Sequence, residues 1–543
     1  MYKNLNLSFR NIYEISKLLT VKNKKLKIIY SVSLSNAVVF FDLLIIYLLT
    51  SFFQPVELPL ILKDIDISEV RVFLPVVIFF RFLVIYLDTM NIHNLRLDIE
   101  ESLRENFLDE IFLRGNYSIS DSYFFINTLC VHVSTFYQNF TILLTSIVKI
   151  SLFSVFLLTT ETSIFFYFVL GILFLFIPLR YFTKLNRHYS HISYETSIEI
   201  SDNVERVIDN LYLIKILNKF KFEKKSFKLN LDNYYNSQIN NQKYGTLNSL
   251  FPTFITMFFL SVILIFFPIS SLITLEFIAI ILRLFQSLGE FNRVLSMSIS
   301  TYVHLENLNK IEQNKEKIYS SNFQVTDAKF PDNNLIELKE IKFKYLNSEN
   351  LIFDNLSLSI ERGKHTIITG PNGIGKSTFL GLVTGVFYAN SGRINLYTKK
   401  VSYVSAYPMI IRGTLRDNIL YGTEKIISDK EIIELLTTFK LFDEANIDLE
   451  RTVSNKSLSS GQMQKLSFVR ALLSKPELLI LDESTANLDK KTKALIYNIL
   501  KNLNITILNS THSSEDLIDY DKELSFSVKN EKTIIEEVKS NRS

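Results

Sequence analysis

Residues 365–378 read HTIITGPNGIGKST, and this stretch is the strongest indication of the fold of the second part of the chain. An apolar, strand-like run ends at Thr369, and the pattern G-x-x-x-x-G-K-[ST] follows it in full. In such a loop, backbone N–H groups surround phosphates, the lysine reaches the β- and γ-phosphates, and the next hydroxyl ligates Mg²⁺. A helical pattern comes next, so the context is strand, loop, helix. The predicted contacts to ATP and Mg²⁺ are Gly370, Asn372, Gly373, Gly375, Lys376, Ser377 and Thr378.

A second candidate stretch lies about 100 residues further on, where LLILDE occupies 478–483. An apolar run of this length is typical of a buried parallel strand, but burial does not explain two acids at its end. Asp482 fits a Mg²⁺ ligand, and Glu483 fits the base that polarises the attacking water. Together with the loop at 370–378, these acids predict an α/β nucleotide-hydrolysing domain.

The N-terminal part of the chain has a different character. The chain has 543 residues, of which 48% are apolar and 21% charged, and its formal net charge is +4. This charge is too small to argue for a nucleic-acid partner. Cys130 is the only cysteine, so an intrachain disulfide is excluded. A membrane core needs about 20 apolar residues as helix. Six such spans are predicted, at 28–53, 71–90, 138–160, 163–181, 246–269 and 270–295.

The distribution of charge predicts how these spans are oriented. The connection 180–245 is rich in lysine, whereas 53–70 is mainly acidic, and basic connections remain in the cytoplasm. Both termini are therefore expected in the cytoplasm. Stretches 91–113 and 191–217 repeat apolar residues at helical spacing, so the spans are expected to continue beyond the membrane as helices. Short polar segments are expected at the bends, near 114–126 and 205–222.

These observations divide the chain into three predicted parts. Residues 1–308 form an all-α transmembrane domain with six spans, 309–334 form a polar linker, and 335–543 form the α/β domain with the phosphate-binding loop. The expected location is a bacterial inner membrane, with the chain crossing it several times.

Residues 458–462 read LSSGQ, and with them the chain resembles the ABC transporter superfamily, specifically exporter-type half-transporters. The resemblance implies that Ser459, Ser460, Gly461 and Gln462 contact the nucleotide bound by a second subunit. It also implies that Tyr345 stacks on adenine and that His512 contacts the γ-phosphate. A homodimer is the simpler expectation, and a heterodimer stays open. Ser460 departs from the glycine that the family usually has.

A second departure is Ala406, which stands where the family has a glutamine that contacts Mg²⁺ and water. Alanine has no group for that chemistry. Either Ser405 or Tyr407 substitutes for it, or the coupling between ATP hydrolysis and transport is altered. Because Glu483 and His512 are retained, hydrolysis is still expected.

Charges inside the predicted spans indicate the kind of substrate that is transported, because such charges are costly in a membrane and usually line a pathway. They are Asp42, Arg81, Lys149, Arg283, Glu290 and Arg293. Arg283, Glu290 and Arg293 are expected on one helical face, and a basic cavity suits an anionic amphiphile. The alternative is that these residues pair with one another, or that the arginines reach the membrane surface.

Around these arginines, FFRFLVIYLD and LRLFQSLGEFNRVL are similar to segments of lipid-linked oligosaccharide flippases. That resemblance implies that Arg81, Arg283 and Arg293 engage the substrate diphosphate. The leading expectation is ATP-driven flipping or export of such a lipid-linked oligosaccharide or a related anionic amphiphile. The alternatives are an exporter of lipid or peptide, and an ATP-binding regulatory membrane protein.

Overall fold

A computed structural model describes residues 10–17, 19, 21, 23–50, 52, 71–114, 118–160, 162–266, 275–326, 333–346, 348–423, 426–442, 447–485, 488–511, 520–529 and 532–539. Within it the chain forms two compact units, Met1–Lys315 and Glu316–Ser543. The acidic stretch 53–70 and the turns near 161 and 271 lie outside the described residues.

The regular elements described in the first unit are all helices. After a helical stretch at 10–17, its helices are α1 (Lys24–Thr50), α2 (Leu74–Arg114), α3 (Ile119–Phe124), α4 (Cys130–Thr160), α5 (Thr162–Asp209), α6 (Leu211–Ile216), α7 (Phe220–Phe266) and α8 (Leu275–Asn314). A π-helical turn, Phe125–Leu129, joins α3 to α4. The fold class expected for this half of the chain is confirmed.

Each predicted span lies mainly in one long helix. Among the described residues, three helical segments are long and apolar enough to cross a membrane, namely Lys24–Thr50, Leu74–Arg114 and Ile119–Leu158. Helix α2 continues without a break through the expected extension 91–113, because Leu95, Ile99 and Leu103 repeat at helical spacing and pack into one core.

Short helices occupy the two bends that were expected at the ends of the extensions. Helix α3 lies near the first bend and is held against α5. Ser120 donates to Asp202 over 2.8 Å, and the backbone N–H groups of Ile119 and Ser120 donate to Glu205. Helix α6 lies in the second bend and ends before Asn218, whose φ of 50° turns the chain into α7.

The second unit is built on two larger β-sheets. Its strands are β1 (Phe323–Val325), β2 (Asn334–Phe343), β3 (Phe353–Glu361), β4 (His365–Thr369), β5 (Ser391–Leu396), β6 (Val401–Ser405), β7 (Gly413–Thr414), β8 (Thr452–Val453), β9 (Leu478–Asp482), β10 (Thr506–Ser510), β11 (Lys522–Lys529) and β12 (Lys532–Lys539). Its helices are α9 (Lys376–Val383), α10 (Leu415–Leu420), α11 (Asp429–Thr438), α12 (Ser460–Leu473) and α13 (Lys490–Lys501).

The larger sheet places the candidate residues at one edge. Its strand order is β12-β11-β4-β10-β9-β6, and β11, β4, β10, β9 and β6 run parallel. The register pairs Asp482 with Ser510 on one side and with Ser405 on the other. Because parallel strands end at a common edge, Gly370, Glu483 and Ala406, which follow β4, β9 and β6, lie at that edge, in the region where open α/β sheets bind ligands.

The segment 309–334, expected to be a linker, is largely part of the two units. Helix α8 continues to Asn314, because Leu305, Leu308 and Ile311 extend its apolar face into the core. Strand β1 then pairs in parallel with β5, and Phe323 packs against the core of the second unit. The polar composition concealed these elements, since only every third or fourth residue is apolar.

Candidate functional site

The phosphate-binding loop leaves β4 and enters α9, as expected for this motif. Gly370 has a φ of 140°, and a Cβ there would lie 2.6 Å from the carbonyl oxygen of Phe526. Gly375 is the residue before α9 and has a φ of 105°. Ser377 is exposed in the first turn of the helix, whose N-terminal N–H groups favour an anion. The loop is therefore built from conformations that glycine allows.

Lys376 lies over this loop and is 5% exposed. Its Nζ donates to the carbonyl oxygens of Gly370 at 2.7 Å and Pro371 at 3.0 Å. Burial lowers the pKa of Lys376, and the carboxylates of Glu483 and Asp482 oppose this effect. The ammonium group therefore connects the loop electrostatically with the acids after β9.

The two acids after β9 have different surroundings. Asp482 is 8% exposed, and its Oδ2 accepts a hydrogen bond of 3.1 Å from the Tyr403 hydroxyl. Burial and the nearby Asp482 charge raise the pKa of Tyr403, so the phenol stays protonated and is the donor of this hydrogen bond. Glu483 has a φ of 50°, and its N–H donates to the carbonyl of Ser510. Such a φ costs a non-glycine residue about 1 kcal/mol, which is typical of functional sites.

The residues present fit a Mg²⁺ ion held together with nucleotide phosphates. The Oδ1 atom of Asp482 is buried and accepts no hydrogen bond from any described residue. The described residues also contain no group of three or more His, Cys, Asp or Glu side chains that could hold a metal alone. Mg²⁺ is usually bound by one or two carboxylates together with substrate phosphates. Asp482 and Ser377 would be the protein ligands, and the ion would neutralise charge on the phosphates.

Residues 459–462 form a preformed helix start. Ser459 caps α12: its hydroxyl accepts from the N–H of Gln462 at 3.3 Å, and the Gln462 side chain accepts from the N–H of Ser459 at 2.9 Å. Ser460 is the first residue of the helix, where a side chain is tolerated, so its replacement of the family's glycine causes no backbone strain. With Gly461, these residues present a helix N-terminus that can bind an anion.

Hydrogen bonds from neighbouring side chains hold the backbone on both sides of Ala406. Ser405 donates its hydroxyl to the carbonyl of Tyr407, and the Tyr407 side chain is exposed. Gln464, a fully buried residue of α12, donates through Nε2 to the carbonyl of Ser405 at 2.9 Å and also to that of Ser484. Gln464 therefore connects the residue before Ala406 to the residue after Glu483. Sequence reasoning identified neither Gln464 nor Tyr403.

Two residues complete the predicted nucleotide site. The hydroxyl of Tyr345 lies 2.6 Å from the Thr378 hydroxyl, and its ring contacts Phe343 and Phe387 edge-on. The side chain is 41% exposed, so one part of the ring remains open for a base. His512, predicted to contact the γ-phosphate, lies outside the described residues.

The steric limit at Gly370 makes a direct prediction. Gly370→Ala should lower the thermal stability of the full-length protein and abolish binding of a fluorescent ATP analogue, because the new Cβ would overlap the backbone of β11. Gly373→Ala is the matched control: its φ is 77°, but no atom lies within 4 Å of the new Cβ. It should cost only about 1–2 kcal/mol of backbone strain. Equal losses of thermal stability in the two variants would contradict the steric argument.

The first unit contains a cavity of about 310 Å³ among α1, α2, α4 and α8. Arg81 donates through Nε to Oδ1 of Asp42 over 2.6 Å, and Nη2 of Arg283 lies 3.4 Å from the same oxygen. Lys149 pairs with Glu290 over 3.3 Å. The charged residues that line the cavity are Asp42, Arg81, Asp88, Lys149, Arg283 and Glu290.

This lining corrects two expectations. The cavity is not basic, because three cations face three carboxylates. The charges pair, but not within the set Arg283, Glu290 and Arg293 that the alternative named: Arg283 pairs with Asp42, and Glu290 pairs with Lys149. Arg293 is exposed and lies outside the lining. Arg293 follows Arg283 by ten residues, so its side chain points about 80° away from that of Arg283 around the helix axis. Glu290 follows Arg283 by seven residues and is only about 20° away. Asp88 was missed, although it lies seven residues after Arg81.

Comparison with known proteins agrees with this geometry. Residues 353–486 match the family model described as ABC transporter. Over 199 residues, 33% of this chain and 71% of the relative, the chain is 31% identical to the energy-coupling factor transporter ATP-binding protein EcfA of Pediococcus pentosaceus. Over 428 residues, 73% of this chain, it is 27% identical to the SPbeta prophage-derived sublancin-168-processing and transport ATP-binding protein SunT of Bacillus subtilis. The chain spans 59% of the length of that relative.

The fold of both units is also found in a solved structure. A bacterial Atm1-family ABC exporter with ATP bound superposes with a TM-score of 0.73, covering 94% of each chain at 15% identity. At this identity the match shows the fold alone. The matched family region contains the phosphate-binding loop, the two acids after β9 and the capped LSSGQ helix. The chain therefore belongs to the ABC transporter family and carries a helical membrane-type domain and an ATP-hydrolysing domain in one polypeptide.

Proposed function

We propose that this chain is one half of an ATP-driven exporter that moves a charged amphiphile through the cavity between Asp42 and Glu290. The convergence of Arg81 and Arg283 on one oxygen of Asp42 is the observation that carries the proposal. Charges within membrane-spanning helices are costly and are usually retained for a pathway or a binding site. The proposed location is a bacterial inner membrane, with both termini in the cytoplasm.

The proposed working unit is a dimer. Within the family, the LSSGQ helix of one subunit covers the nucleotide of the other, and one chain supplies one loop and one such helix. Two copies of this chain are the simplest assembly. A heterodimer, in which a partner supplies the glutamine missing at position 406, is the alternative. Asp482 and Ser377 would hold Mg²⁺, Tyr345 would stack on adenine, and Glu483 with His512 would act on the attacking water and the γ-phosphate.

Two substrate classes fit the cavity to different degrees. A lipid-linked oligosaccharide would bring a diphosphate, which two guanidinium groups bind well. The charge of a diphosphate would, however, exceed the net charge of +1 at the arginines, because Asp42 already neutralises one of the two cations. An amphiphilic peptide can present both signs of charge to the balanced lining, and the relative SunT is named for the processing and transport of sublancin-168. The charge balance therefore favours the peptide or lipid alternative over the anionic flippase substrate.

A transport measurement tests the exporter proposal. Inside-out vesicles containing the full-length protein should accumulate a labelled amphiphilic peptide or a polyprenyl-diphosphate glycan only when ATP and Mg²⁺ are present. Replacing Arg81 and Arg283 together by alanine should reduce this uptake at least tenfold, because both cations at one end of the cavity are lost. Arg180→Ala, an exposed site on α5 outside the lining, should leave uptake unchanged.

The other outcomes separate the alternatives. Glycan uptake that exceeds peptide uptake would favour the flippase. ATP hydrolysis without uptake of either substrate would contradict the exporter proposal. Absence of hydrolysis by the purified chain would favour the regulatory reading or a missing partner subunit, with Ala406 as the physical reason.

A further inference from the structure

The charges that line the cavity are separated into two ends. The first end, the positive pole, contains Arg81, Arg283 and Asp42, and its formal charge is 2 − 1 = +1. The second end, the negative pole, contains Asp88, Glu290 and Lys149, and its formal charge is 1 − 2 = −1. Asp88 is within electrostatic range of both Lys149 and Glu290. The whole lining is therefore neutral, but it is polarised.

Helix geometry fixes the distance between the poles. Arg81 and Asp88 lie seven residues apart on α2, and Arg283 and Glu290 lie seven residues apart on α8. Seven residues advance a helix by about 10 Å and return to within about 20° of the same face. Since Arg81 and Arg283 meet at Asp42, the two helices present matching pairs of opposite charges in the same direction along the cavity.

Each pole has capacity for a charged ligand. At the positive pole, one carboxylate serves two guanidinium groups through a single oxygen, so most of their N–H donors are not used by Asp42. At the negative pole, one ammonium pairs with Glu290. The Asp88 carboxylate accepts a hydrogen bond from the Ser31 side chain, but its buried Oδ1 accepts none from the described residues. A buried carboxylate oxygen without a donor is costly, and a ligand ammonium would satisfy it.

We propose that the cavity binds an amphiphilic peptide carrying one basic and one acidic side chain about 10 Å apart. The acidic group would lie at Arg81 and Arg283, and the basic group at Asp88 and Glu290. This inference rests on the proposed exporter function and names its substrate class. A peptide suits the spacing, because in the polyproline II conformation side chains three residues apart share one face and lie about 9 Å apart. A single isolated anion satisfies only one pole.

A binding experiment that needs no variant tests the inference first. Three fluorescent 12-residue peptides share one apolar sequence and have blocked termini. They carry a Lys and a Glu three positions apart, two Glu, or two Lys. Anisotropy titrations with the full-length protein in phosphatidylcholine nanodiscs should give an affinity for the Lys/Glu peptide at least tenfold above those of the other two. Equal affinities, or tightest binding of the two-Glu peptide, would overturn the proposal.

Variants then assign each pole. Asp88→Asn should remove the advantage of the Lys/Glu peptide over the two-Glu peptide, and Asp88→Glu should restore it. Replacing Arg81 and Arg283 by alanine should instead remove the advantage over the two-Lys peptide. Glu101→Gln, an exposed acid on the same helix as Asp88, is the control and should leave all three affinities unchanged. If Asp88→Asn lowered all three affinities equally, recognition of a basic side chain by the negative pole would be excluded.

Transport in the same preparations separates this inference from the exporter proposal. ATP-dependent uptake of the two-Glu peptide in preference to the Lys/Glu peptide would overturn the polarised site and retain the exporter. Absence of ATP-dependent uptake of every peptide and glycan would overturn the exporter, whatever the order of the binding affinities.

Discussion

Glu483→Gln should reduce the steady-state ATPase rate by about 10²–10⁴-fold, the usual contribution of a general base. The amide is nearly isosteric with the carboxylate but cannot accept a proton from the attacking water. Lys376 and the loop from Gly370 are unchanged, so the variant should still bind ATP and Mg²⁺ and should retain labelled ATP after gel filtration. Both the rate and the retained nucleotide are to be measured on the full-length protein in lipid.

The same strand supplies the control for this prediction. Glu477 precedes β9 at its opposite end and pairs with Arg362 at 2.6 Å and with Lys400 at 3.1 Å. Glu477→Gln removes the same charge from the same strand and should leave the ATPase rate within about twofold, because surface pairs contribute little. If Glu483→Gln hydrolysed ATP at the wild-type rate, Glu483 would not be the base, and the polarising group would have to be sought elsewhere at this sheet edge.

Asp42→Asn should lower the free energy of unfolding of the protein by about 3 kcal/mol, in the range found when one partner of a buried ion pair is removed. Asp42 is 6% exposed and is the carboxylate on which Arg81 and Arg283 both converge. In the variant, two guanidinium groups would face each other across a membrane-type cavity without a counter-charge. The measurement is denaturation of the full-length protein in detergent micelles.

Two further variants test this explanation. Asp98→Asn breaks the more exposed pair with Lys27 on the same two helices, α1 and α2, and should cost less than about 1 kcal/mol. Combining Asp42→Asn with Arg81→Gln should recover part of the lost stability, since one of the two uncompensated cations is removed. A double variant that is less stable than Asp42→Asn alone would contradict a purely electrostatic origin of the loss.

Much of the ATP-hydrolysing domain follows from local sequence. The loop at 370–378, the acids at 482 and 483 and the LSSGQ helix are short segments whose chemistry is contained in consecutive residues. The structure places Gly370, Asp482 and Ser405 at one sheet edge, as the apolar strands before them indicate. The contacts of Tyr403 with Asp482 and of Gln464 with two carbonyls could not be predicted, because each joins residues distant in sequence.

The net charge of the cavity lining could not be predicted from the positions of charged residues along the chain. The sequence indicated that Arg81 and Arg283 lie within membrane spans, and helical periodicity was sufficient to place Glu290 on the face of Arg283. It did not show that Asp42 pairs with both arginines, because that contact brings together α1, α2 and α8. For the same reason it predicted a basic cavity, whereas packing of four helices brings as many carboxylates as cations to the lining.

The class of the protein could be predicted from its sequence, since the nucleotide motifs and the long apolar helices depend on local chemistry and on spacing along one element. Only the tertiary structure decided the electrostatic character of the cavity and the tethering of the segment at Ala406. Charge compensation and buried hydrogen bonds depend on which side chains meet in space. Helix packing brings together residues that are distant along the chain, such as Asp42 and Arg283, which lie 241 positions apart.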